Sequence, residues 1–250
     1  MVLAVMAVVI GALVPSFLSI RVAEQARTTS QNLKTVMNSI AAFVQSSGCV
    51  PCPVPARMSQ SDERGLVAGR NGNACGACTN PVGLLPFRSL GLPEAFAKDA
   101  NGHWLTYAVD TKLASYVAIS PQTQIPVSGT NGLCSVTFAS ASPLEIKLTE
   151  TVSQSNIAVL LLSHGANGYG AYKNEPGTDN DRLPIPSTVR DCSGIVGAER
   201  CNTSSSTNRI FVAKIAALST EDPFDDVYLY LDRNALVSYL GNQPCTTEWK

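Results

Sequence analysis

The first twenty residues, Met1 to Ile20, carry no charged side chain, and only Gly11, Pro15, Ser16 and Ser19 fall outside the apolar set. As a helix rising 1.5 Å per residue, such a run spans roughly 30 Å, the thickness of a bilayer's hydrocarbon core. Residues 1–20 are therefore predicted to form a single transmembrane helix. Pro15 removes one backbone donor and should bend it. A cleaved secretory signal is the competing reading, but it requires a basic segment before the apolar run and a small-residue cleavage site. Neither is present.

The helix is expected to continue past the apolar run. From Arg21 to Ser47 there is no Pro and no Gly, and Leu33, Val36, Met37, Ile40 and Val44 fall three and four residues apart. That spacing places them on one face, with Gln31, Lys34, Asn38 and Gln45 largely on another. Residues 21–47 thus read as an amphipathic continuation laid on a soluble domain, ended by Gly48 in a left-handed conformation. The remaining residues, 48–250, form that domain.

Orientation and cysteine usage pull in opposite directions. Arg21, Arg27 and Lys34 follow the apolar run, which by the positive-inside rule leaves the rest of the chain in the cytoplasm. The eight cysteines, at 49, 52, 75, 78, 134, 192, 201 and 245, form an even set in a chain rich in Pro and Gly, the usage of an oxidising compartment such as a bacterial periplasm. Both observations fit if a basic leader precedes Met1.

Residues 48 to about 100 are rich in Gly, Pro, Asn and Cys and read as irregular and stapled. Strand patterns follow at Gly102–Val109, Ser135–Ala139, Leu144–Leu148 and Phe211–Ala216. Ile157–Leu162 is a continuous apolar run of the kind found in a central strand, and Ser163–Gly168 suits a turn. In Asp226–Leu231 the alternation sets Val227, Leu229 and Leu231 opposite Tyr228 and Tyr230. A short helix capped by Asp232, with Leu236, Val237 and Leu240 on its apolar face, should end at Gly241.

Several of these segments resemble a known family. An uncharged helix containing a proline, continuing as an amphipathic helix into an oxidised domain, is similar to type IV pilins and type II secretion pseudopilins. More specific are Gly48-Cys49-Val50-Pro51-Cys52-Pro53, Gly83-Leu84-Leu85-Pro86-Phe87-Arg88-Ser89-Leu90-Gly91-Leu92-Pro93, Leu162-Ser163-His164-Gly165-Ala166-Asn167-Gly168 and Asp222-Pro223-Phe224-Asp225-Asp226. In this order they resemble a subgroup of larger proteobacterial pilin-like proteins. The family's leader, glycine cleavage site, methylated phenylalanine and early glutamate are not in this sequence, and the resemblance implies that they lie upstream of Met1.

The resemblance implies an α+β fold: a long N-terminal helix, half in the membrane, on a mainly antiparallel sheet with disulfide-stapled loops. It also implies a subunit, minor by its size, of a type IV pilus or type II secretion pseudopilus. Such a subunit is held in the bacterial inner membrane by one span, its C-terminal domain in the periplasm, and later stands outside the cell in a filament. The implied partners are the inner membrane, other pilin-like subunits, the assembly machinery and, given an upstream leader, a prepilin peptidase. Ala4, Ala7 and Gly11 fall three or four apart, with Ala12 beside Gly11, which permits close helix approach in a filament core and equally suits lipid-facing filler.

The cysteines admit another reading. Cys49-x-x-Cys52 and Cys75-x-x-Cys78 have roughly the spacing of a four-thiolate zinc site. Behind a membrane anchor and beside four more cysteines, disulfides are favoured. The expected arrangement joins the 49/52 pair to the 75/78 pair, Cys192 to Cys201, and Cys134 to Cys245.

Enzymatic readings find little support. With 18 basic against 19 acidic side chains and 15% of residues charged, phosphate-led nucleic-acid binding is not expected. A hydrolytic triad would have to draw its imidazole from His103 or His164, and Ser163 and His164, adjacent on a strand, point to opposite faces. His164 reads as a turn residue satisfied locally, and His103 as a strand-entrance residue. Nucleotide-binding glycine motifs are absent. Glu175, Asp179 and Asp181 form one acidic group, and Asp222, Asp225 and Asp226 another. By resemblance, Asp179, Asp181, Asp225 and Asp226 are weak calcium candidates, though neither group matches an EF-hand, and solvated turns are the favoured reading. No enzyme activity, cofactor or metal is expected. The alternative to a filament subunit is a membrane-anchored periplasmic binding or adhesive domain that does not polymerise; a zinc-dependent or hydrolytic enzyme comes third.

Overall fold

The computed structural model describes residues 2–47, 49–57, 78, 80–114, 144–175, 178, 180–203, 209–217 and 219–238, and for residues 2–20 it describes the backbone alone. Outside the described residues lie the expected strand at Ser135–Ala139, the helix ends at Gly48 and Gly241, Leu240, Asp179, Cys75, Cys134 and Cys245. The side chains of Ala4, Ala7, Gly11, Ala12 and Pro15 lie outside them too.

A single helix, α1, runs from Val2 to Ser47, about 69 Å at 1.5 Å per residue. Among the described residues no helix is long and apolar enough to cross a membrane. From Arg21 to Thr28 the side chains are exposed or half-buried. Burial begins at Thr29, whose hydroxyl accepts a hydrogen bond from the Ala100 N–H at 3.2 Å. Beyond it Leu33, Val36, Met37, Ile40 and Val44 are all buried, as the spacing predicts.

The sheet consists of β1 (Val82–Leu84), β2 (Thr106–Val109), β3 (Leu144–Lys147), β4 (Ser153–Ser163), β5 (Ile210–Val212) and β6 (Val227–Asp232). Its long axis is β4. Val159–Leu162 pairs antiparallel with β2, while the residues before it pair antiparallel with β3, so β2 and β3 divide one edge of β4. The other edge is taken by β6, antiparallel from Ile157↔Asp232 to Ser163↔Val227. β1 extends the sheet beyond β2 and β5 beyond β3, and β3–β5 is the one parallel pair among the described strands. Short helices α2 (Thr111–Ala114), α3 (Ala198–Cys201) and α4 (Arg233–Ser238) and a 3₁₀ turn at Glu94–Ala97 complete the described elements. The Ala235 N–H donates to Asp232 Oδ1 at 2.7 Å, the cap expected for α4.

The two sheet faces are both buried, and strand alternation sorts their residues. Tyr107, Val109, Val159 and Leu161 face α1, together with Val227, Leu229 and Leu231 of β6. On the opposite face Ala108, Leu160 and Leu162 meet Ile146 and Phe211, with Tyr228 and Tyr230 against them. A register shift between Ile157 and Val159, next to Asn156 at φ 62°, changes the parity along β4.

The Cys-Pro segment is tied to the sheet's edge. Val54 exchanges backbone hydrogen bonds with Leu84 at 2.9 and 2.8 Å, and the Tyr107 hydroxyl donates to the Pro51 carbonyl at 2.9 Å inside the core. Cys52 is bonded to Cys78, and Cys192 to Cys201. Cys49 is also in a disulfide, its partner outside the described residues. The sulfurs of these five cysteines are thus taken, which removes them as thiolate ligands for zinc.

Candidate functional site

Two of the segments singled out in the sequence meet at one end of the β4–β6 pair. The register places Ser163 opposite Val227, so the turn leaving β4 and the residues entering β6 lie side by side. Asp225 bridges them: its Oδ2 accepts from the N–H of Ala166 at 2.9 Å and of Asn167 at 3.0 Å. Gly165 makes this approach possible. Its φ is +59°, and a Cβ there would fall on the Asp225 carboxylate.

Ser163 and His164 project to opposite faces, as expected for neighbours on a strand. The Ser163 hydroxyl donates to Asp99 Oδ2 at 2.7 Å on the helix side. Asp99 Oδ1 in turn accepts from the N–H of Asn101 and of His103, both at 2.9 Å. His103 lies at the strand entrance, with Nδ1 3.2 Å from the Gly165 carbonyl and 3.8 Å from Asp99 Oδ2. The serine hydroxyl is therefore engaged by a carboxylate rather than by an imidazole.

His164 departs from its reading as a locally satisfied turn residue. It is fully buried on the far face, and its Nε2 lies 2.8 Å from the hydroxyl of Thr106, a partner on β2 rather than in the turn. Its Nδ1 meets no partner at full hydrogen-bond geometry, and the Tyr169 backbone in the turn lies near enough to favour the protonated ring weakly. Burial first, and then the nearby Arg182 charge, hold the imidazole well below its ordinary pKa and hence neutral. Arg182 lies over the Tyr172 ring at 4.0 Å and donates to the Gly170 carbonyl at 2.8 Å, the Tyr172 hydroxyl at 3.0 Å and the Thr106 hydroxyl at 3.3 Å.

Beside His164 stand Glu199, from α3, and Asp226, from the start of β6. Both are buried, against the expectation of solvated turns around Asp226. Glu199 Oε1 accepts from Asn167 Nδ2 at 3.2 Å and from the Asp225 N–H at 3.4 Å. Asp226 Oδ2 accepts from Asn202 Nδ2 at 2.7 Å. Asn202 also bonds both backbone groups of Val212, accepting from its N–H at 2.7 Å and donating to its carbonyl at 3.0 Å, which locks the C-terminal end of α3 onto β5. The Cys192–Cys201 disulfide closes the stretch leading into α3 and fixes the helix carrying Glu199.

Burial raises the pKa of all three acids here. Glu199 is pushed up to about 7, and Asp226 well above the carboxylate range by burial and by the neighbouring Glu199 charge. Asp225, more open, is raised by burial against the two N–H bonds it accepts.

Among the described residues, His164, Glu199 and Asp226 are the one group of three His, Cys, Asp or Glu able to hold a cation, their ligand atoms all within 4.8 Å of one another. The acidic side chains expected to cluster do not all meet here. Asp181 accepts from the Thr178 N–H at 3.0 Å in its own loop. Glu175 is exposed. Asp222 holds the Gly197 N–H at 3.0 Å and Lys214 Nζ at 2.7 Å. Glu199, Asn202 and Thr106 were not marked by the sequence. His164 could have been: carrying the alternation of Leu160 and Leu162 one step further places it on the buried face.

A surface groove of about 370 Å³ opens beside the cluster, walled by Tyr169, Pro186, Val189 and Phe224, with Asn167 and Asp225 on its side nearest the acids. No protein-family model, curated protein or solved structure matches the chain.

Proposed function

We propose that the chain is a structural subunit, minor in role, of a type IV pilus or type II secretion pseudopilus, held in the bacterial inner membrane by residues 1–20 before assembly. The observation that carries this reading is the division of α1. From Thr29 to Ser47 one face of the helix is sealed onto the sheet, whereas Arg21–Thr28 stand clear of it and the uncharged run precedes them. A helix held at one end and apolar at the other suits an element whose free half exchanges lipid for neighbouring helices. The mixed α+β architecture, the mostly antiparallel sheet and the disulfides are compatible with such a subunit and with a periplasmic domain.

N-terminal peptide mass spectrometry on protein taken from native membranes tests the proposal. A methylated phenylalanine upstream of Met1 supports it. An unprocessed terminus at Met1 removes the peptidase site and the assembly glutamate together, and refutes it.

The groove beside Asp225 favours a second reading, an anchored binding or adhesive domain that does not polymerise. Its size falls within the range of small-ligand clefts, and its walls mix aromatic and polar groups. Cross-linking between α1 helices of neighbouring subunits in membranes separates the two, since a solitary receptor gives none.

A further inference from the structure

The cluster of His164, Glu199 and Asp226 has a regularity beyond its proximity. Each side chain has one polar atom anchored and one left over. His164 is anchored through Nε2 to Thr106, Glu199 through Oε1 to Asn167, and Asp226 through Oδ2 to Asn202. The leftover atoms, His164 Nδ1, Glu199 Oε2 and Asp226 Oδ1, are all buried and receive no donor hydrogen, and the Glu199 and Asp226 carboxyls stand within hydrogen-bonding reach of each other. Such atoms are costly to leave bare, and buried carboxylates more so. The pattern is that of metal ligands, in which one atom faces the ion while a neighbouring polar group fixes the other and sets its orientation.

We propose that His164 Nδ1, Glu199 and Asp226 form a buried structural site for one divalent cation of borderline hardness, Zn²⁺ or Mn²⁺. The donor set selects this class. Imidazole nitrogen with carboxylate oxygen suits zinc and manganese, whereas calcium and magnesium take oxygen ligands, in larger number and commonly with water. Three corners no more than 4.8 Å apart leave a central ion at most about 2.8 Å from each, so a contraction of several tenths of an ångström reaches zinc–ligand length. The cation's charge compensates the two carboxylates that burial otherwise penalises. With Nδ1 bound to the ion, the imidazole carries its proton on Nε2 and donates it to Thr106.

The ligands come from three distant stretches of chain: the end of β4, the disulfide-closed helix α3 and the first turn into β6. An ion held there ties α3 to the adjoining ends of β4 and β6.

The test uses the full chain in detergent, stripped with a chelator and titrated separately with Zn²⁺, Mn²⁺, Ca²⁺ and Mg²⁺ by calorimetry, with metal content read by mass spectrometry. The expected result is one equivalent of Zn²⁺ or Mn²⁺ per chain and a higher thermal midpoint. Glu199→Gln and Asp226→Asn should each weaken binding at least about 100-fold. Failure of wild type to bind either ion stoichiometrically, preference for Ca²⁺, or unchanged affinity in both variants overturns the site and leaves a proton shared between the acids as the alternative. Should the variants not fold, X-ray absorption on the metal-loaded wild type decides. One nitrogen with oxygen neighbours supports the proposal; sulfur in the shell overturns it.

Discussion

Asp225 and Asn167 hold each other across two loops: the Asn167 N–H donates to Asp225 Oδ2 at 3.0 Å, while the Asn167 side chain and the Asp225 N–H both donate to Glu199 Oε1, at 3.2 and 3.4 Å. This reciprocal clamp joins the turn after β4 to the approach to β6 and aims both at the buried acids. It depends on the close contact at Gly165.

Gly165→Ala is accordingly expected to destabilise the domain by at least about 2 kcal/mol, combining the cost of a left-handed non-glycine residue with displacement of Asp225. Urea unfolding measures it. A change below about 0.5 kcal/mol, the level of an ordinary surface substitution, would remove the argument for the close approach.

The helix gives a graded expectation. Ile40 is fully buried against the sheet, and Ile40→Ala should cost about 2–5 kcal/mol. Val22 is 50% exposed, before the helix meets the domain, and Val22→Ala should stay within about 0.5 kcal/mol. Equal losses at the two positions would contradict a contact beginning near Thr29.

Tyr107 supplies a pH dependence. Burial raises its phenol well above the ordinary value of 10.0. The native state therefore keeps the proton while the unfolded chain begins to release it near pH 10. Its contribution is fully present below that pH and is lost as pH rises towards the native value. At neutral pH, Tyr107→Phe should cost about 1–3 kcal/mol by leaving the Pro51 carbonyl unpaired. The gap between variant and wild type should narrow above about pH 10. Denaturant titrations at neutral pH and above pH 10 check the sign, and a gap that widens would refute it.

Removing the Cys192–Cys201 bridge by paired serine substitution should cost about 2–3 kcal/mol, from a loop of 9 residues' separation. Hydrogen exchange should accelerate across Ala198–Asn202 before it does in β4. Uniform acceleration through the sheet would mean that the bridge does not act locally.

Legibility in the sequence followed periodicity. The apolar face of α1 from Leu33 to Val44 and the alternation of Val227, Leu229 and Leu231 with Tyr228 and Tyr230 could be read directly, because their burial is set by local geometry. β4 proved longer than its apolar run: Ser153 to Asn156 extend it as exposed or half-buried polar residues, paired with β3 through backbone groups that composition does not report. β1, three residues beside prolines, was hidden in a stretch that reads as irregular. At the site, His164, Asp225 and Asp226 lay in segments already noted, but their meeting is set by the β4–β6 register, a long-range fact. Glu199 carries no motif or period, and only the folding of the disulfide-closed loop brings it inward.

The placement of β6 also orders events in time. The sheet surface that receives α1 is built chiefly from β6, the last of the described strands, while α1 precedes every other described element. A chain emerging from its N-terminus thus carries the helix's inner face, Leu33 through Val44, without its principal counterpart until Val227–Asp232 has been synthesised. Closure pairs elements from opposite ends of the described chain, the slow, non-local case for folding. During that interval the helix is retained by whatever surrounds it, and the domain's completion, rather than its beginning, seals the exposed stripe.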